Sequence, residues 1–157
     1  MRILSWNVRG LGMDRTVRRF RAVIRDISLS VIFLMESKLP AIKMERVRKL
    51  FGYVNGVEVS SDGRSGGLCL GWKDTVTLSV RSFSTNHIDV MIIEENGGRC
   101  WRLTGFYGAP EVGNRIHSWN LLRRLNDCPD VPWCVIGDFN ELLFQHEKSG
   151  GSLRHDW

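Results

Sequence analysis

No apolar run in this sequence approaches the ~20 residues that would span a bilayer, so no membrane-spanning helix is expected. The amino terminus, MRILSWNVRG, has an early charge but no sustained apolar stretch, and it does not read as a secretory leader. The expected compartment is intracellular. Cysteine is scarce: Cys69, Cys100, Cys128 and Cys134 are spaced in no zinc-binding pattern. An intracellular chain is not expected to rely on disulfides. Cys69 (GGLCLGW) and Cys134 (PWCVIG) lie in apolar runs and read as small core residues. Low-complexity tracts, internal repeats and linkers are also missing.

What is there suits one domain. The chain has 157 residues, 43% apolar and 25% charged, which is enough for a single real core and too little for two. Its net charge of +5 is uneven. Residues 1–50 hold 12 Lys/Arg against 4 Asp/Glu, and residues 51–157 hold 10 against 13. A basic first third fits a region that touches a polyanion, and it equally fits a solvated helix face.

The periodicity changes along the chain. RILSWNV (2–8) alternates, with Leu4, Trp6 and Val8 on one face and Ile3, Ser5 and Asn7 on the other, which predicts a strand. Asp14 is placed to cap a helix to about Ile27, with Val17, Phe20, Ile24 and Ile27 inward and arginines outward. SVIFLMESK (30–38) reads as a buried strand, and a helix over about 41–51 follows Pro40, with Met44, Val47 and Phe51 on one face and Gly52 as its stop. The middle, from YVNGVEV to RCWRLTGFY, is β-rich, and Asn96-Gly97-Gly98 signals a hairpin. A helix near 115–126, with Ile116, Trp119, Leu122 and Leu125 inward, precedes the apolar strand of WCVIGDFNELL. Two stacked sheets between helical layers would bury all of these faces.

Several strands end in polar residues that a core does not need: Asn7, Glu36, Asp138 and Asn140. Residues two apart in an extended chain point the same way, so Asp138 and Asn140 would both face a cleft while Phe139 anchors the loop. Glu36 and Asp138 are hard oxygen donors of the kind Mg²⁺ prefers, alongside water and phosphate oxygens. A carboxylate can orient or deprotonate an attacking water, and an amide can donate to a developing phosphorane charge. Each residue also has a plainer reading. "DFN" is a natural Asx turn, Glu36 a solvated strand end, Asn7 a turn residue, Tyr107 a packed aromatic, and Gly66-Gly67 the start of a strand.

Taken in order, SWNVRGLG, FLMESK, GGLCLGW, RLTGFYGAP and WCVIGDFNELL resemble the endonuclease/exonuclease/phosphatase superfamily, and most closely the endonuclease domain of plant LINE-type (non-LTR) retrotransposons. The resemblance covers residues 1–157 as one domain. It implies an α+β fold, a four-layer αββα sandwich of two mainly antiparallel sheets, and Mg²⁺-dependent (alternatively Mn²⁺-dependent) phosphodiester hydrolysis on DNA. Asn7 would help hold metal or phosphate, and Glu36 would be the metal carboxylate. Tyr107 would contact the scissile phosphate, Asp138 would align the water and Asn140 would stabilise the transition state. Arg9, Arg18 and Arg25 are candidates for contacting nucleic acid. The freed 3′ hydroxyl would prime reverse transcription at nuclear DNA, with no membrane and no stable protein partner implied.

The family continues with further strands and a late Ser-Asp-His segment that His87, His117, His146 and His155 do not match. The expectation is therefore a sandwich incomplete at its C-terminal end, with impaired nicking. A non-catalytic remnant that binds nucleic acid weakly or not at all, and a phosphatase for a small or lipid phosphate, are the alternatives.

Overall fold

A computed structural model describes residues 1–94, 98–127, 130–142, 145–147 and 149–150. The chain begins β1 (Ile3–Asn7), α1 (Asp14–Arg25), β2 (Val31–Met35), α2 (Ala41–Leu50). Consecutive strands follow as β3 (Asn55–Ser61), β4 (Gly66–Trp72), β5 (Thr77–Ser84), β6 (His87–Ile93) and β7 (Cys100–Tyr107). α3 (Arg115–Leu125) and β8 (Trp133–Asp138) complete the main elements.

The strands form two four-stranded sheets, ordered β1-β2-β4-β3 and β5-β6-β7-β8. Each sheet is antiparallel except for one pair at its edge: β1 runs parallel to β2, and β8 runs parallel to β7. Alternation decides which way each side chain goes. In β2, Val31, Phe33 and Met35 enter the core between the sheets, while Ile32 and Leu34 join the core beneath α1 and α2. All five are at most 2% exposed, which accounts for the unbroken apolar run. Burying each such side chain contributes about 1.5–3 kcal/mol. From the second sheet, Ile88, Val90, Ile92 and Leu103 face the same inner core. The α+β sandwich of two sheets with helices outside is thus as the sequence predicts.

The structure corrects several local expectations. Asp14 is the first residue of α1 and caps nothing, since Met13 holds the cap position. It is still the acid in the first turn, where the helix dipole favours it. Ile27 falls beyond the helix and is 39% exposed. Ile116 is 53% exposed, and the covered positions of α3 are Arg115, Ser118 and Leu125. Cys134 is exposed, because β8 is the outermost described strand of its sheet, where apolar neighbours in sequence do not guarantee burial. Asn96 and Gly97, Cys128 and His155 lie outside the described residues.

Candidate active site

The two parallel pairs direct the C-terminal ends of β1, β2, β7 and β8 to one end of the sandwich. Asn7 lies on the same face of β1 as Ile3, and Asp138 on the same face of β8 as Ile136, both of which pack into the inner core. Asn7 Nδ2 donates to Asp138 Oδ2 at 3.1 Å across the mouth of the sandwich. Asp138 Oδ1 accepts the Asn140 backbone N–H at 3.0 Å. "DFN" is therefore an Asx turn and part of a convergent cluster at once. Asn140 Nδ2 donates to the Gly108 carbonyl at 2.8 Å, which fixes its amide. Phe139 packs on Phe106 with ring centroids 5.2 Å apart and anchors the loop. Gly137 opposes Phe106 at φ +148, where an added Cβ would sit 1.8 Å from the Phe106 carbonyl oxygen. Only glycine allows β8 to close on β7 there.

Glu36 forms the second half of the site. Its Oε1 accepts the Tyr107 hydroxyl at 2.8 Å and the Gly66 N–H at 2.9 Å. Its Oε2 lies 3.8 Å from Lys38 Nζ. Gly66 and Gly67 do more than begin a strand: their carbonyls accept the N–H groups of Lys38 and Ser37. A Cβ on Gly67 would come within 2.3 Å of Ser37 Oγ. Burial raises the Tyr107 phenol's pKa, and its hydrogen bond to Glu36 and that carboxylate's charge raise it further. Tyr107 is therefore a protonated donor.

Backbone strain marks the same place. Among the described residues, the non-glycine positions with positive φ are Arg9 (50°), Glu36 (56°), Lys38 (56°) and Asn140 (51°). All four lie in the loops that leave β1, β2 and β8. Such conformations cost of order 1–3 kcal/mol each and persist where surrounding structure enforces them, typically at functional sites.

The structure thus brings together Asn7, Glu36, Tyr107, Asp138 and Asn140, with Arg9 beside them. The Arg9 N–H donates to Asn7 Oδ1 at 3.2 Å. Arg18 and Arg25 are not drawn into this cluster. They stand on the exposed side of α1, and Arg25, paired with Asp26 at 3.6 Å, lies at the helix end nearer the start of β2. Sequence reading missed Lys38, the Gly66 N–H and the Met35 sulfur, which accepts the Asp138 N–H at 3.2 Å. The Gly-Gly doublet and the Lys two residues after Glu36 were the available signals.

The donors fit a hard divalent ion. They are carboxylate and carboxamide oxygens, and among the described residues the partner of Glu36 Oε2 is Lys38 Nζ at 3.8 Å. No group of three or more His, Cys, Asp or Glu positioned for a metal occurs among the described residues. Mg²⁺ takes one or two carboxylates and completes its shell with water and phosphate, and Glu36 and Asp138 are carboxylates of that kind.

Solved structures of other proteins share this fold. The human Nocturnin catalytic domain, determined with a bound sulfate anion, has 14% identity and a TM-score of 0.64 over 90% of this chain and 65% of its own. The endonuclease domain of TRAS1, a telomere-specific non-LTR retrotransposon, has 14% identity and a TM-score of 0.62 over 90% and 61%. Danio rerio TDP2 complexed with a single-strand DNA product has 20% identity and a TM-score of 0.60 over 89% and 60%. At these identities the likeness is one of fold, and the chain spans less than two thirds of each structure's length. No curated protein matches the sequence. The family model for endonuclease/exonuclease/phosphatase proteins matches residues 4–152, nearly the whole sequence, and the chain belongs to that family.

Proposed function

We propose that the chain is a metal-dependent DNA endonuclease domain of a retrotransposon-derived protein, acting on nuclear DNA. Members of its family are typically hydrolytic nucleases or phosphatases. The observation that carries the reading is the convergence of Asp138, held by Asn7 and by the Asn140 N–H, with Glu36, held by Tyr107 and the Gly66 N–H. The likeness to the TRAS1 endonuclease domain favours a retroelement origin, and the DNA product named with TDP2 favours a nucleic-acid substrate.

Each residue then has one task. Asp138, fixed at both oxygens, orients an attacking water and takes its proton. The second N–H of the Asn140 amide stands as a neutral donor for phosphate oxygens as negative charge builds on them, and the Tyr107 hydroxyl would join it by turning its one hydrogen from Glu36 to the phosphate. Glu36, with the Asn7 carboxamide, would hold Mg²⁺, which supplies Lewis-acid polarisation of the phosphate when bound. Lys38 and Arg9 offset the negative charge a DNA strand brings. The water oxygen bonds to phosphorus, the P–O bond to the 3′ oxygen breaks with its electron pair going to that oxygen, and the 3′ oxygen takes a proton from solvent to leave as the hydroxyl.

The test is nicking of supercoiled plasmid. Nicking by this chain is expected to require Mg²⁺ or Mn²⁺ and to fall ~10²–10⁴-fold in Asp138→Asn with the fold retained by circular dichroism. Undiminished nicking in EDTA, or by Asp138→Asn, would overturn the mechanism.

A further inference from the structure

A second hollow, of about 750 Å³, opens on the outer side of the second sheet between α3 and the β5–β6 turn. It shares a rim with the Glu36 cleft, because Thr85, Asn86, Pro110 and Glu111 line both. That rim is tied to Tyr107. Asn86 Nδ2 donates to the Tyr107 carbonyl at 2.9 Å, and the Tyr107 N–H donates to the Asn86 carbonyl at 2.8 Å.

The lining is mostly neutral and mixed. His87 is buried between two hydroxyls, with Ser82 Oγ 3.0 Å from Nε2 and Ser84 Oγ 2.7 Å from Nδ1. Leu121 and Leu125 supply apolar surface. His117, Leu121 and Arg124 follow one another at i, i+4 and i+7, which sets them in one stripe along α3. His117 and Arg124 are exposed, so the lining's guanidinium stands towards solvent, and the buried wall carries no Lys, Arg, Asp or Glu.

We propose that this hollow is a nucleotide subsite: it takes the sugar and base of a nucleotide flanking the scissile phosphate, with the next phosphate held by His117 and Arg124. The inference rests on the nucleic-acid reading above. The volume falls within the ~300–1,000 Å³ typical of small-molecule sites. Hydroxyls and a carboxamide suit base edges and sugar hydroxyls, and the leucines suit a base face. A buried phosphate would need buried cations, and the lining's guanidinium, Arg124, stands outside instead. Glu111 on the rim repels a phosphate, which leaves the Arg124 side for the backbone. A strand leaving the Glu36 cleft over the Asn86 rim enters this hollow directly.

The test uses binding rather than cleavage. A short fluorescein-labelled single-stranded DNA is titrated in EDTA at several salt concentrations against the full chain and against the His117→Gln/Arg124→Gln double variant. The double variant is expected to bind more weakly, with the salt slope smaller by roughly 0.7 for each phosphate it no longer neutralises. Backbone amide NMR signals of residues 117–125 are expected to shift on adding the DNA to the unaltered chain. An unchanged salt slope together with shifts confined to the strand-end loops would overturn the subsite while leaving the nuclease reading standing. A chain that binds no DNA at all would overturn both.

Discussion

The outer faces of the two sheets are sealed in different ways. Over the first, Phe20 and Ile24 of α1 and Met44 of α2 share one cluster with Ile32 and Leu34, and the buried charge there is Arg48 paired with Glu58. Over the second, Asp89 accepts hydrogen bonds from Arg102 Nε at 2.9 Å, Thr104 Oγ1 at 2.6 Å and Arg81 at 3.3 Å. Arg102 also donates to the Leu125 carbonyl at the end of α3 and to Asp127 at 2.8 Å. Its guanidinium lies 4.8 Å over the Trp133 ring, and Trp133 Nε1 donates to Thr104 Oγ1 at 2.8 Å. Hydrocarbon packing is non-directional and tolerates small slides. A satisfied network of charges accepts one geometry. Among the described strands, β8, which carries Asp138, pairs with β7 as β1, which carries Asn7, pairs with β2, and on the second sheet the network reaches that outermost strand directly. Trp133 at the start of β8 is tied to the network, and Asp138 lies at the strand's other end.

The largest expected effect breaks this network on one side only. Asp89→Leu leaves Arg102, 2% exposed at its side chain, without its buried carboxylate. The expected loss is ~3–5 kcal/mol in urea unfolding. Adding Arg102→Met removes the stranded charge and should recover most of that loss. If the single variant loses under ~1 kcal/mol, or the double variant loses more than the single, Asp89 and Arg102 do not act as a unit.

Met44→Ala makes the matching cut on the first sheet. Met44 is fully buried, so the expected loss is ~2–5 kcal/mol from reduced burial and the cavity left behind. It has no charged partner to strand, so no second substitution should rescue it as Arg102→Met rescues Asp89→Leu. A loss below ~1 kcal/mol would mean that α2 settles into the gap and that this face is softer than the comparison requires.

The difference between the faces also explains what the sequence could and could not reveal. GGLCLGW has the bounds of β4, and the apolar run of β2 ends at Met35, because a strand buried on both sides writes itself as continuous hydrocarbon. Asn7, Glu36, Asp138 and Asn140 stood out as polar residues at strand ends, whereas Tyr107 was singled out only by the family resemblance. HIDVMII and the CWRLTGFY of β7 show only alternation, and alternation looks the same whether the polar face meets water or lies beneath a helix. The Asp89–Arg102 pair depends on the β6–β7 register, which sets Asp89 against Thr104. The Gly66 N–H reaches Glu36 because β4, not β3, lies next to β2. Arg115 and Ser118 displaced Ile116 from the covered side of α3 for a related reason: the surface below is itself polar in part, and Ser118 Oγ accepts the Ala109 N–H at 2.8 Å.

The smallest expected effect is one of pH, and it separates the faces without cutting either. Burial lowers the pKa of His87 on the second sheet, with the Asp89 carboxylate working against that shift. In the unfolded chain the imidazole titrates near ~6.5. Between that value and the lower folded one, the unfolded chain binds more protons than the folded chain. Stability should therefore be full above about pH 6.5 and decline as pH falls through this window. His87→Gln can still bond to Ser82 and Ser84 but does not titrate, so its unfolding midpoint should fall less between about pH 7.5 and 5.5 than that of the unaltered chain. Met44→Ala, which leaves His87 in place, should keep the unaltered chain's pH dependence while being less stable throughout. The same dependence on pH in His87→Gln as in the unaltered chain would show that His87 is reached by water in the folded state, and that the second sheet's outer face is wetter than its hydrogen bonds indicate.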